Sequence, residues 1–97
     1  MAVYFIVDTM KVTDPQMHAE YSQRAASTLE QYGVKFLVGG SAPHEVIEGI
    51  WQTQGVAVLE FEDREHFKRW YDSPEYKEIR RLRIQSTSNR AIVILGK

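Results

Sequence analysis

One stretch decides the fold of this chain: WYDSPEY, at residues 70–76. Its Ser-Pro pair is a strong helix start, because a serine hydroxyl can cap free backbone N–H groups and proline fixes φ where no amide bond is lost. A helix that carries Phe67 and Trp70 must end before this point, since Pro74 disfavours an α conformation at Ser73. The stretch therefore predicts two helices joined at a sharp corner, with three aromatic rings near the bend.

The same start signal occurs earlier in the chain, with Asp14 as the cap and Pro15 as the first helical residue. Gly33 stands where a left-handed helix terminator is expected. Between them, residues that fit one face of an amphipathic helix recur at spacings of four, four, four and three: Met17, Tyr21, Ala25, Leu29 and Tyr32. This pattern predicts the first helix.

Four segments rich in β-branched and aromatic residues predict strands, at residues 2–12, 34–38, 56–61 and 91–95. A further short extended piece is predicted at 44–50, and a turn is predicted at 86–89. The order of strand, helix, strand, strand, helix pair and strand is that of a βαββαβ ferredoxin-like sandwich. We therefore predict one α+β domain over residues 1–97, an antiparallel sheet with helices on one face.

Three of the strands are apolar at successive positions, over residues 3–7, 56–61 and 91–95. An antiparallel sheet with one wet face should instead alternate apolar and polar residues. Because the helices cover only one face, the sheet of a second copy is the simplest cover for the other. The sequence predicts a homodimer through this face, forming a shared α+β barrel. In the alternative, the second face is only partly apolar and stays exposed.

Composition narrows the classes of function. A net charge of −1 argues against nucleic acid as a partner, and the absence of cysteine excludes disulfides and thiolate chemistry. No segment is apolar enough to span a membrane and none is a secretion signal, so the expected location is the cytoplasm. The sequence has no nucleotide-binding loop, so no cofactor is expected. The three histidines are not spaced as metal ligands, so no metal site is expected either; they are His18, His44 and His66.

Several short motifs resemble the small bacterial family called domain of unknown function 1330, within the dimeric α/β-barrel superfamily. They are YG at 32–33, Phe36, GG at 39–40, EGIW at 48–51, EF at 60–61, WYDSPEY at 70–76, and Arg83. The resemblance covers almost the whole chain and implies a ferredoxin-like protomer and a dimer. It implies no established activity, because the superfamily includes cofactor-free monooxygenases, haem-degrading enzymes, lactone isomerases and ligand-sensing domains.

If the chain binds a small molecule, the pocket is expected between the helices and the sheet. Glu60 interrupts an apolar strand, so it is the candidate base or polar anchor, and Arg83 is the candidate partner for an anion. The remaining candidate ligand-binding residues are Trp51, Tyr71, Tyr76 and His18. Each has a structural alternative: the rings pack in the core, Glu60 accepts a salt bridge, and His18 lies on the surface.

Three hypotheses about function remain open. The chain is a dimer that binds a small organic molecule and converts it without a cofactor, a dimer that senses or carries such a molecule, or a purely structural dimer. A formed pocket would separate the first two hypotheses from the third, and turnover would separate the first from the second.

Overall fold

Three helices pack on one side of a four-stranded antiparallel sheet in the computed structural model, which describes residues 1–96. The sheet order is β2-β3-β1-β4. The strands are β1 (Val3–Val12), β2 (Lys35–Val38), β3 (Gly55–Phe61) and β4 (Thr87–Leu95), and the helices are α1 (Pro15–Gln31), α2 (Arg64–Tyr71) and α3 (Pro74–Ser86). The predicted ferredoxin-like fold is confirmed.

The predicted helix signals act as expected. The Asp14 carboxylate accepts a hydrogen bond from the backbone N–H of Met17 at 3.1 Å, and Gly33 follows α1 with φ of 65°. The Ser73 hydroxyl accepts a hydrogen bond from the Tyr76 N–H at 3.1 Å and so begins α3. These caps fix where α1 and α3 begin and where α1 ends.

Two local predictions are wrong. No strand forms at 44–50: both edges of β3 are already paired, with β1 and β2, and Gly49 takes a φ of 80° that interrupts an extended segment. No turn separates α3 from β4, because β4 begins at Thr87, directly after the helix. The carbonyl oxygen of Ser86 instead accepts backbone N–H groups of the β1–α1 connection, and Thr87 pairs with Val12.

The aromatic bend predicted around residue 73 forms the centre of the core. The Trp70 and Tyr76 rings lie 4.0 Å apart between centroids, and both are almost fully buried. The indole Nε1–H of Trp70 donates to the Thr28 hydroxyl of α1 at 3.0 Å. Because α1, α2 and α3 all meet at this pair of rings, the bend fixes how the helix layer sits on the sheet.

The sheet has one covered and one uncovered face. Side chains alternate along β1, so Val3, Phe5 and Val7 are buried under the helices. We call the other side the open face. The open-face residues, by strand register, include Tyr4, Ile6, Val58, Ile92 and Ile94. None of the helices that the structure describes is long and apolar enough to cross a membrane.

Candidate functional site

A cavity of about 480 Å³ lies between α1 and the sheet, and we call it the helix–sheet cavity. Its volume falls in the range of about 300 to 1,000 Å³ that is usual for small-molecule sites. Most of its wall is apolar or aromatic, and includes Phe5, Val7, Leu29, Leu59 and Trp70. The side chain of Ala25 leaves space on α1 where a larger residue would fill the cavity.

The polar part of the wall is formed by His18, Tyr21 and Arg83, together with neutral side chains. Arg83 lies on the buried stripe of α3, one helical turn after Ile79, and is only 4% exposed. Its Nη1 donates to the Asn89 side-chain oxygen at 2.7 Å, while its Nε has no hydrogen-bond partner. No carboxylate among residues 1–96 forms a salt bridge with it.

Two tyrosines stand beside this arginine. The hydroxyl groups of Tyr21 and Tyr76 are 2.8 Å apart and share a hydrogen bond. Burial raises the pKa of Tyr21 well above its usual value, and Tyr76 raises it further. Burial acts to lower the pKa of Arg83, but the neighbouring Tyr76 and Tyr21 outweigh it and that pKa is raised. The arginine is therefore charged and Tyr21 is neutral at ordinary pH.

The structure places only some of the predicted ligand-binding residues together. His18 and Arg83 line the helix–sheet cavity. Tyr76 does not line it, but its hydroxyl reaches the cavity wall through Tyr21. Tyr71 packs on Phe5 and carries the Arg80 guanidinium 4.3 Å from its ring centroid, outside the cavity. Of the predicted ligand-binding residues, only His18 and Arg83 line the cavity directly.

Glu60 lies on the opposite side of the sheet from the helix–sheet cavity. Its neighbours Leu59 and Phe61 are buried under the helices, so alternation turns Glu60 toward the open face. There it stands across from Tyr4 and Lys35 in the strand register. The strand is apolar on both faces of the sheet, with Leu59 and Phe61 on the covered face and Val58 on the open face, and that explains why the sequence pattern suggested a shielded pocket for Glu60.

Trp51 also lies away from the helix–sheet cavity, in the loop between β2 and β3. Its indole N–H donates to Asp8 Oδ2 at 3.2 Å, and Arg90 Nε donates to the same oxygen at 3.0 Å. Asp8 is only 5% exposed. Burial acts to raise the pKa of Asp8, but hydrogen bonds with Thr53, Arg90 and Trp51 outweigh it, so its pKa is lowered.

We call Asp8, Trp51 and Arg90 the Asp8 cluster. It borders a second depression, of about 400 Å³, between the β2–β3 loop and the sheet, lined by Trp51, Thr53, Val56 and part of the loop. Within the sequence, Asp8 is a charged residue in the predicted strand at 2–12 and has no local partner that indicates a site. The contact with Trp51 could not be read from the sequence, because the two residues are 43 positions apart.

His66 is buried for a structural reason. Its Nδ1 accepts a hydrogen bond from the Glu62 backbone N–H, so its Nε2 carries the proton and donates to the Tyr32 carbonyl oxygen. The ring thereby joins the end of α1 to the start of α2. Over residues 1–96, no group of three histidine or acidic side chains is arranged to hold a metal ion.

Comparisons with known proteins agree with this architecture. The family described as "Domain of unknown function (DUF1330)" matches residues 2–97. A search of curated proteins gives no match. Among solved structures, a protein of unknown function from Rhodopseudomonas palustris is similar with a TM-score of 0.77 at 16% identity, over 99% of this chain and 82% of that one.

Two further solved structures are similar over almost their full length. A dimeric protein of unknown function with a ferredoxin-like fold, from Bacteroides fragilis, has a TM-score of 0.66 at 14% identity, over 98% of this chain and 96% of that one. SnoaB, a cofactor-independent oxygenase from Streptomyces nogalater, has a TM-score of 0.62 at 14% identity, over 99% and 93%. At these identities the likeness shows a shared fold.

Proposed function

We propose a function for this chain, which belongs to the domain of unknown function 1330 family: it forms a homodimer that binds a small organic molecule in the helix–sheet cavity. One observation carries the binding proposal. The cavity is apolar over most of its wall, yet it contains a buried arginine with no carboxylate partner among the described residues. Replacing a buried charge by an apolar residue is often neutral or stabilising, so stability alone does not account for an arginine here.

Burying the charged side chain of Arg83 has a cost in free energy. An arginine removed from water costs several kcal/mol unless a counter-charge and hydrogen bonds replace its hydration. Arg83 donates from Nη1 to Asn89 and has the Tyr21 and Tyr76 hydroxyls as neutral neighbours, while its buried Nε has no hydrogen-bond partner. A sequence selected for stability alone would place an apolar residue here. A ligand group that enters the cavity and accepts a hydrogen bond from Arg83 would explain why an arginine is present at this position.

The binding proposal is tested by a fragment screen on ¹⁵N-labelled protein. We expect hits that shift the indole N–H signal of Trp70, which lines the cavity, and leave the signal of Trp51 on the open face unchanged. Ala25→Phe should abolish these hits by filling the cavity, whereas Ser27→Phe, on the exposed side of α1, should retain them. Ala25→Leu serves if the larger residue disturbs folding. Hits that survive both cavity variants would contradict the proposal.

The dimer proposal is supported by the open face. Ile92 and Ile94 are 58% and 44% exposed in the single chain and lie beside each other on β4, next to Ile6 on β1. Contiguous apolar patches of this kind usually mark an interface. A second copy of the same sheet offers a matching apolar surface, and two sheets packed face to face lie about 10 Å apart, close enough to exclude water.

Catalysis without a cofactor is the more specific form of the proposal. The fold is shared with a cofactor-independent oxygenase. In this chain His18, stacked beside Tyr21, is a cavity-lining group that can accept a proton from a bound ligand. Glu60, on the other face of the sheet, has no access to that ligand. A ligand found in the screen should be consumed by the wild type and not by His18→Gln; binding without turnover would make the protein a carrier or sensor.

A further inference from the structure

Resting on the proposed function, we infer that the ligand of the helix–sheet cavity is a planar apolar compound with a single carboxylate, and that this carboxylate binds Arg83. The inference concerns the chemical class of the ligand. It follows from the balance of charge in the cavity, from the geometry of Arg83 and from the nature of the remaining wall.

The charge balance of the cavity calls for one negative group. No aspartate or glutamate lines the cavity, so Arg83 provides an uncompensated positive charge. The neighbouring phenols cannot supply the missing anion, because Tyr21 is held in its neutral form by burial and by its bond with Tyr76. A neutral ligand would leave the guanidinium without a counter-charge, and a cationic ligand would add a repulsion.

The geometry of the arginine favours a carboxylate. A guanidinium presents its N–H donors as a rigid planar fork that matches the two oxygens of a carboxylate. In Arg83, Nη1 donates to Asn89, which holds the group in place, while Nε is enclosed by protein atoms and has no hydrogen-bond partner. The Asn89 side-chain amide in turn donates to Thr87 at 2.7 Å, so the orientation of the fork is fixed before a ligand arrives.

The rest of the cavity wall selects an apolar, flat body for the ligand. Phe5, Leu59 and Trp70 present rings and branched aliphatic groups, and offer few hydrogen-bonding atoms. A charged group on the ligand placed against this apolar part of the wall would lose its hydration without replacement. One anionic group on an aromatic or conjugated framework satisfies both parts of the wall.

Three matched probes test the inference by isothermal titration calorimetry: 2-naphthoate, 2-naphthamide and 2-naphthylmethylammonium. They share one flat apolar body and differ in charge. We expect the naphthoate to bind the wild type at least about tenfold more tightly than the amide, and the ammonium compound to bind most weakly. The Trp70 indole N–H signal should shift on binding, while that of Trp51 should not, and this locates the probe in the cavity.

Substitutions of two arginines of α3 separate the effect of Arg83 from that of an exposed neighbour. Arg83→Gln should remove the preference for the naphthoate and leave amide binding unchanged, while Arg81→Gln, an exposed position on the same helix, should change neither. Arg83→Lys keeps the charge but loses the fork, and should retain a reduced preference, which also covers the case in which Arg83→Gln does not fold.

The outcomes distinguish the two proposals. If the amide binds the wild type as tightly as the naphthoate, or if Arg83→Gln weakens both equally, the ligand class is wrong while binding in the cavity stands. If no probe binds and the fragment screen gives no hit at Trp70, both proposals are overturned.

Discussion

Two buried ionisable residues lie on opposite faces of the same sheet, and their surroundings differ. Asp8 is 5% exposed and has Arg90 as its counter-charge, with Trp51 as a second donor. Arg83 is 4% exposed and has no acidic partner among residues 1–96. Each retains one atom without a partner, but only Arg83 lacks a neutralising charge. Asp8 is thus neutralised within one chain, and the missing counter-charge at Arg83 is the observation that supports our proposal of a ligand there.

The two tryptophans also lie on opposite faces of the sheet, and substituting Trp70 should change the free energy of unfolding more than substituting Trp51, Asp8 or Arg83. Trp70→Ala should lower the free energy of unfolding by about 3 to 5 kcal/mol, because it leaves a large hole in the core. Trp51→Ala, on the half-exposed loop, should cost about 1 kcal/mol, mainly through its hydrogen bond with Asp8. Urea unfolding of both variants at one protein concentration checks this, and equal losses would contradict the distinction between the faces.

The two charges themselves give the next effect. Asp8→Ala should lower the free energy of unfolding by about 1 to 3 kcal/mol, because Trp51 and Arg90 both lose their acceptor. Arg83→Met should leave stability unchanged or raise it, because an apolar side chain removes a buried, uncompensated charge. Chemical denaturation of the two variants sharpens the comparison. A large loss of stability in Arg83→Met would mean that the arginine is structural too.

Asp8 and Tyr21 should make the stability of the protein depend on pH at opposite ends of the pH scale. The folded pKa of Asp8 is lowered, so its contribution to stability is present above about pH 4 and is lost as the pH falls through the folded value. The folded pKa of Tyr21 is raised, so its contribution is lost as the pH rises above about 10. Urea midpoints measured across pH should show a smaller acid-side fall in Asp8→Asn and a smaller alkaline fall in Tyr21→Phe than in the wild type; unchanged profiles would refute both assignments.

A substitution on the open face should change assembly while leaving the protomer fold almost unaffected. Ile92→Lys places a charge in the middle of the proposed sheet-to-sheet interface, whereas Ile84→Lys, at a comparably exposed position on α3, does not. Sedimentation velocity should show monomer for the first variant and dimer for the second, with unchanged circular dichroism for both. Dissociation by both variants, or by neither, would place the interface elsewhere.

Local signals explain what could be predicted from the sequence. Helix caps depend on residues only three positions apart, so Asp14, Ser73 and Gly33 were read correctly. The sequence predicts Arg83 as the partner of an anion, and the structure places it on the buried stripe of α3 with Tyr76 and Ile79. These patterns were sufficient for the order of elements and for the ferredoxin-like fold.

The rest depends on contacts between distant residues. The hydrogen bond between the hydroxyl groups of Tyr21 and Tyr76 joins residues that are 55 positions apart, and no local sequence pattern predicts it. Glu60 was placed in a pocket because a polar residue in an apolar strand was read as facing a single buried side. When both faces of a sheet are apolar, a polar residue in the strand can face either side, and the sequence does not indicate which one. Glu60 lies on the face away from the cavity.

We propose that the open face is completed by a second copy of the chain, while the covered face holds a ligand site of its own. Multi-angle light scattering of the wild-type protein at micromolar concentration tests the first part most directly. We predict a mass of twice the 11.2 kDa of one chain. A mass of 11.2 kDa at that concentration would show that the apolar open face is left exposed, and would contradict the shared barrel.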